Sequence, residues 1–152
     1  MNQNTLNWYR GIGFPEALLN SAVDIISRVE KYYEMKFEDF FISNAQKDDV
    51  MDYTSVWLFT DQDAIECKNF LTSFDIDIVR YKRNVRYVNI ITGKNDSLTD
   101  PTDNSVMKLS VLLADDVKCL FTAKGMNCKK LDEIARRYLK EYKSMAEDRI
   151  LS

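Results

Sequence analysis

Apolar side chains along this chain change their spacing twice. Between Leu18 and Tyr33 they recur every three or four positions, as Leu18, Leu19, Ala22, Val23, Ile25, Ile26, Val29, Tyr32 and Tyr33, while Asp24, Arg28, Lys31 and Glu34 fall on the other side. That is the period of a helix with one apolar stripe, and it predicts an amphipathic helix over residues 15–34. Phe14-Pro15-Glu16 supplies the entry. Proline suits the first helical position because its missing N–H would have no partner there, and Glu16 meets the positive end of the helix dipole. Residues 1–13, ending in Gly11-Ile12-Gly13, read as a loosely ordered leader.

From Phe37 the period drops to about two, the signature of strands. Candidate strands run from Phe37 to Ser43, Thr54 to Thr60, Ala64 to Phe70, Phe74 to Tyr81 and Val85 to Thr92. Phe74, Ile76 and Ile78 alternate with Asp75 and Asp77, as in a strand with one wet face. Asp61-Gln62-Asp63 predicts a turn, because Asp side chains bond nearby backbone N–H groups. Gly93 to Ser105, GKNDSLTDPTDNS, is the longest polar stretch and predicts a loop. Val106 to Ala114 and Val117 to Ala123 flank Asp115-Asp116, which predicts a hairpin. In the first of these, Met107, Leu109, Val111 and Leu113 share one face, opposite Lys108 and Ser110.

The period returns to 3.6 in a second helix from about Cys128 to Ala146, with Asn127 as its expected N-cap. Its stripe is Leu131, Ile134, Ala135, Tyr138, Leu139 and Tyr142. The order is therefore helix, about seven short strands, helix. No linker or internal repeat divides the chain, so the expectation is one α+β domain over 1–152: leader 1–13, N-terminal helix 14–35, and strands with their closing helix 37–146.

Residues 54–70, with SVWLFTDQDAIECKNF after Thr54, resemble the hairpin of small bacterial pleckstrin-homology-like domains, which carry two apolar runs around a Thr-Asp turn. IVRYKRNVRYVNIITG (78–93) is similar to their next segment through Tyr81, Val85 and Val88. MKLSVLLADDVKCLFTAKG (107–125) followed by LDEIARRYL (131–139) resembles their terminal hairpin and capping helix. The resemblance covers about 37–143 and implies a seven-stranded antiparallel barrel closed by the C-terminal helix, with a binding role towards protein surfaces or phosphoinositide headgroups. The helix at 15–34 is additional to that plan. A cystatin-like α+β cone is the alternative architecture; the long helix after the last strand argues against it.

Composition narrows the chemistry. The 152 residues carry 21 Lys and Arg against 24 Asp and Glu, a formal charge of −3, which gives no overall electrostatic basis for binding nucleic acid. With no His in the chain, His-based nucleophile pairs and His-ligated metal sites are impossible within it. Cys67, Cys119 and Cys128 form no C-x-x-C pair, and an odd number cannot pair fully, so reduced thiols in a cytoplasmic setting are expected. Met1 to Trp8 lacks the pattern of a secretory signal, and no uninterrupted apolar run is long enough for a membrane span.

Cys128 is the thiol to examine, since a helix N-terminus beside Lys129 and Lys130 would lower its pKa. The bland alternative is a small residue at a helix start, while Cys119 reads as a core thiol. Asp61, Asp63 and Glu66 raise a metal reading, as do Asp48, Asp49 and Asp52 and the acids of 96–103. A solvated turn is the simpler account, since the further oxygen ligands and central glycine of a calcium loop are missing. Gly11-Ile12-Gly13, without a third glycine or a preceding strand, is no phosphate loop.

One charge cluster stands out: Arg80-Tyr81-Lys82-Arg83-Asn84-Val85-Arg86-Tyr87. Arg80, Lys82, Arg83 and Arg86 form either an anion-binding turn or a charged strand edge that resists aggregation. Strand alternation sends Arg80 and Lys82 to one face and Arg83 to the other.

The expected function is a non-enzymatic interaction domain that needs no cofactor or metal, with another protein as partner or self-association through helix 15–34. The alternatives are an anionic lipid headgroup or phosphorylated small molecule held by residues 80–86, at a membrane surface or free, and a small enzyme using carboxylates or a thiol.

Overall fold

The stripe on residues 15–34 does become a helix, and all of it but the exposed Tyr32 packs into a core. In the computed structural model, which describes residues 3–37, 39–46, 49–68, 76–82, 84–97, 99–114 and 116–151 with the side chains of 44–46, 49–54 and 147–151 excepted, the chain divides into two compact units, Met1–Lys82 and Arg83–Ser152. The first unit opens with α1 (Gln3–Gly11) and α2 (Glu16–Tyr33), followed by β1 (Phe40–Gln46), β2 (Asp49–Phe59), β3 (Asp63–Lys68) and β4 (Asp77–Lys82). The second contains β5 (Val85–Thr92), β6 (Val106–Leu113), β7 (Lys118–Lys124) and α3 (Asn127–Leu151).

Helix α1 corrects the expectation of a loose leader over 1–13. A nine-residue helix is marginal by itself, so tertiary burial decides the matter. Tyr9 is fully buried; its ring lies 5.4 Å from Phe40 and 4.8 Å from Phe14, and its hydroxyl accepts the N–H of Ile42 at 2.9 Å. Thr5 Oγ1 donates to Asp39 Oδ1 at 2.5 Å, and the same oxygen accepts the Phe40 N–H. The chain then turns through Gly13, whose φ of 93° is open to glycine, and an Arg10–Glu16 ion pair spans the corner. Pro15 occupies the cap position just outside the first turn of α2, not the first helical position.

Strands β1 to β4 form an antiparallel meander in sequence order. Register puts Phe40, Ile42, Val56, Leu58, Ile65, Cys67 and Ile78 on one face, where they join Leu18, Leu19, Ala22, Ile25, Ile26 and Val29 of α2 in a single core. On the opposite face Phe41, Trp57 and Ala64 are also fully buried, and the Trp57 ring stacks 6.4 Å from Phe59 and 5.9 Å from Tyr81. Asn69, Phe70, Phe74 and Asp75, placed at expected strand ends, lie outside the described residues.

The second unit is a three-stranded antiparallel sheet, β5-β6-β7, with α3 packed along all three strands. Met107, Leu109, Val111, Leu113, Cys119, Phe121 and Ala123 are buried, and the Phe121 and Tyr138 rings meet at 5.9 Å. The expected hairpin between β6 and β7 is present, closed by Leu113 N–H to Val117 O at 2.8 Å. The 93–105 loop is tied by its own bonds: Asp96 Oδ2 accepts the Val106 N–H, and Ser105 exchanges bonds with Thr102. Gly125, at φ 62°, turns the chain from β7 into α3, a backbone state that disfavours other residues. Asn127 begins that helix instead of preceding it.

The α+β class and seven antiparallel strands are thus present among the described residues. They form one sheet of four and one of three, with no described strand pairing that closes a barrel. No helix among these residues is long and apolar enough to cross a membrane.

Candidate docking face on the second sheet

The basic stretch 80–86 spans the boundary between the two units, and its described members have different surroundings. Arg80 and Lys82 share one face of β4, but Arg80 is engaged: Nε and Nη2 donate to Asp63 Oδ2 at 2.9 and 2.5 Å, and the guanidinium lies 4.8 Å from the centroid of the Tyr33 ring. Lys82 is exposed. Arg86 belongs to the second unit, where Nη1 donates to Ala114 O at 3.3 Å and lies 3.6 Å from Asp116 Oδ1. Arg83 lies outside the described residues.

Asp63 and Glu66, two of the acids suspected of metal binding, are used in bonds of other kinds. Asp63 holds Arg80. Glu66 accepts from the Ser55 and Tyr81 hydroxyls at 3.0 and 3.2 Å, and Lys68 lies 3.8 Å from it. No three ligand-type residues cluster around a metal position among the described residues. The turn before β3 is held by Thr60, whose hydroxyl accepts the N–H groups of Gln62 and Asp63; an Asp side chain was expected in that role. Asp48 lies outside the described residues, as do the side chains of Asp49 and Asp52.

At Cys128 the surroundings fit the small residue at a helix start and not a reactive thiol. Its side chain is fully buried, and burial first, then the nearby Asp96 charge, push its pKa up to about 11. Desolvation of the thiolate outweighs the helix terminus and the two neighbouring lysines. Cys67 is likewise pushed up to about 12 by burial and by Glu66. Cys119 is buried in the core, as expected.

What the structure does leave open is the outer face of β5-β6-β7. Alternation places Val106, Lys108, Ser110 and Leu112 on this side of β6, and Lys118, Leu120, Thr122 and Lys124 on this side of β7. Register sets Ile91 opposite Lys108, Asn89 opposite Ser110 and Tyr87 opposite Leu112, so these three residues of β5 complete the face. Across β6 and β7, Ser110 faces Leu120 and Leu112 faces Lys118. Tyr87 and Ile91 are each 55% exposed, Leu120 50% and Val106 43%. A wet sheet face is ordinarily polar, so large exposed apolar side chains from all three strands on one such face make it the candidate docking surface.

The face also has a sign. Lys108, Lys118 and Lys124 lie on it, and strands β5 to β7 carry no acid. Residues 83–152 contain thirteen basic and ten acidic side chains, whereas 1–82 contain eight basic and fourteen acidic. The overall −3 hides this division.

Sequence reasoning treated Lys108 and Ser110 as the plain solvent side of β6. The missed signal was Leu120 between Lys118 and Thr122, together with Tyr87 and Ile91 in a strand apolar on both sides. No family model, curated protein or solved structure matches this chain.

Proposed function

We propose that this chain is a non-enzymatic binding module that recognises another protein through the outer face of β5-β6-β7. The exposure of Tyr87, Ile91 and Leu120 on one lysine-bearing sheet face carries this reading. Aromatic and apolar anchors ringed by polar groups are the common anatomy of a protein interface. The titratable groups elsewhere support it from the other side, since Asp63 and Glu66 are committed to neighbours and Cys67 and Cys128 are buried.

The architecture belonging to this proposal is the pleckstrin-homology-like barrel. Consecutive antiparallel strands in groups of four and three, followed by an amphipathic helix, fit that plan. A cystatin-like cone accounts for α2 and the first four strands but leaves α3 without a role. Three reduced, buried cysteines are consistent with a cytoplasmic setting. Self-association through α2 would have to use its polar side and the exposed Tyr32, because the rest of the apolar stripe packs into the core. Anion recognition by Arg80, Lys82, Arg83 and Arg86 would require Arg80 and Arg86 to leave Asp63 and Asp116.

The test compares the native chain with an Ile91→Asp, Leu120→Asp variant. A partner recovered by cross-linking in the source cell, then purified, should bind the native chain at least about tenfold more tightly. Equal binding by two chains with the same circular dichroism would end the proposal.

A further inference from the structure

We infer that the occupant of this face is an acidic amphipathic helix of another protein, its apolar stripe on the β5 side and its carboxylates over β7. The inference rests on the docking reading above and adds the chemistry of the partner. Three observations lead to it.

The first is width. Three strands about 4.8 Å apart span about 10 Å between the outer two, which matches the diameter of one helix. The chain itself uses that match, since α3 alone packs along β5, β6 and β7.

The second is the division of the surface. Tyr87 and Ile91 lie on β5, at one side, and Leu120 supplies an apolar contact on β7 between two lysines. Lys118 and Lys124, six residues apart on one strand, are separated by about 20 Å along the opposite side. Lys108 stands on the middle strand, directly opposite Ile91. A helix lying along this surface meets Tyr87 and Ile91 on one flank and, on the other, the ammonium groups of Lys118 and Lys124 with Leu120 between them.

The third is the absence of any carboxylate from the three strands. An acidic helix finds complementary charge there and no repulsion from the strands, whereas a basic one brings like charges together. Docking by the same apolar stripe with lysines in place of glutamates is therefore disfavoured.

Two synthetic 18-residue amphipathic helices test this on the full chain. They share one leucine stripe and carry either glutamate or lysine on the other side. Fluorescence anisotropy should show the acidic peptide binding at least about tenfold more tightly than the basic one at low salt, with the difference shrinking at high salt. Amide shifts should move at Tyr87, Ile91, Lys118 and Leu120. In Lys108→Glu, Lys118→Glu, Lys124→Glu the preference should reverse, a result that loss of folding cannot mimic.

Equal binding of both peptides at this face would overturn the acidic partner while leaving the docking face standing. Shifts confined to other residues, or no binding of either peptide, would overturn the inference, and the recovered-partner experiment would then judge the docking face independently. Two further outcomes would overturn it by identifying another occupant. One is salt-sensitive sedimentation with phosphatidylserine vesicles but not phosphatidylcholine vesicles, without peptide binding. The other is concentration-dependent dimerisation lost in Leu120→Asp.

Discussion

Arg80 reaches across the β3–β4 ladder to Asp63, and both of its bonds fall on the same carboxylate oxygen, Oδ2. The carboxylate is largely buried and the guanidinium half-exposed, with the Tyr33 ring 4.8 Å away. A cation in the most basic stretch of the chain thus ties the last strand of the first unit to the start of β3 and the end of α2.

This arrangement predicts different consequences for two cations on one strand face. Arg80→Met leaves the Asp63 carboxylate buried without its charge partner, and the urea midpoint should fall. Lys82→Met, at an exposed position, should leave the midpoint unchanged. A urea midpoint unchanged by Arg80→Met would show that Asp63 does not depend on Arg80.

The two faces of the second sheet should respond oppositely to truncation. Leu109 is fully buried, so Leu109→Ala should cost about 2–5 kcal/mol in urea unfolding. Leu120→Ser, on the outer face, should stay within about 0.5 kcal/mol of the parent. A large loss for Leu120→Ser would show that the outer face is part of the folded core.

The buried thiols give stability a defined pH dependence. In the unfolded chain a cysteine loses its proton near 9.0, while folded Cys128 and Cys67 hold theirs until about 11 and about 12. Between those values the folded state binds more protons than the unfolded state, so stability falls as pH rises from 9 towards 12. Below about 9 the two thiols contribute no slope. Urea midpoints between pH 8 and 10.5 should show the decline, flattened in Cys67→Ala, Cys128→Ala. Neither thiol should react rapidly with iodoacetamide in the folded protein at pH 8.

The end of α2 offers a stabilising change. Glu34 stands at φ 51°, ψ 44°, in the left-handed region, and its N–H caps Glu30 O. Met35 N–H bonds to the same oxygen. A side chain in this conformation costs about 1 kcal/mol, so Glu34→Gly should raise stability by up to about that amount. A lower thermal midpoint would show that the Glu34 side chain contributes more than its backbone strain takes away.

Periodicity was enough to place most elements. Helix 15–34 became α2 at Glu16–Tyr33, and the strand from Val85 to Thr92 was found at those limits. Helix α2 carries a strong repeat whose members lie three or four residues apart, so local spacing reports it; β5 is bounded by the polar Lys82-Arg83-Asn84 before it and the polar stretch from Gly93 after it. Helix α1 was missed because its burial depends on Phe40 and Ile42, more than thirty residues away. The candidate site was legible only in its members. Leu120, Tyr87, Ile91 and the three lysines are visible in the chain, but their presence on one surface follows from strand register.

The sequence by itself determined the α+β class, the order of most elements, the absence of histidine chemistry and most members of the apolar stripes, Tyr32 and Tyr142 being exposed. Each of these depends on composition or on neighbours a few positions apart. Tertiary structure decided which cations are occupied, which thiols are sealed from water and which sheet face stays bare. Those properties depend on pairings such as Asp63 with Arg80 and Ser110 with Leu120, and such contacts exist only after distant segments have folded together.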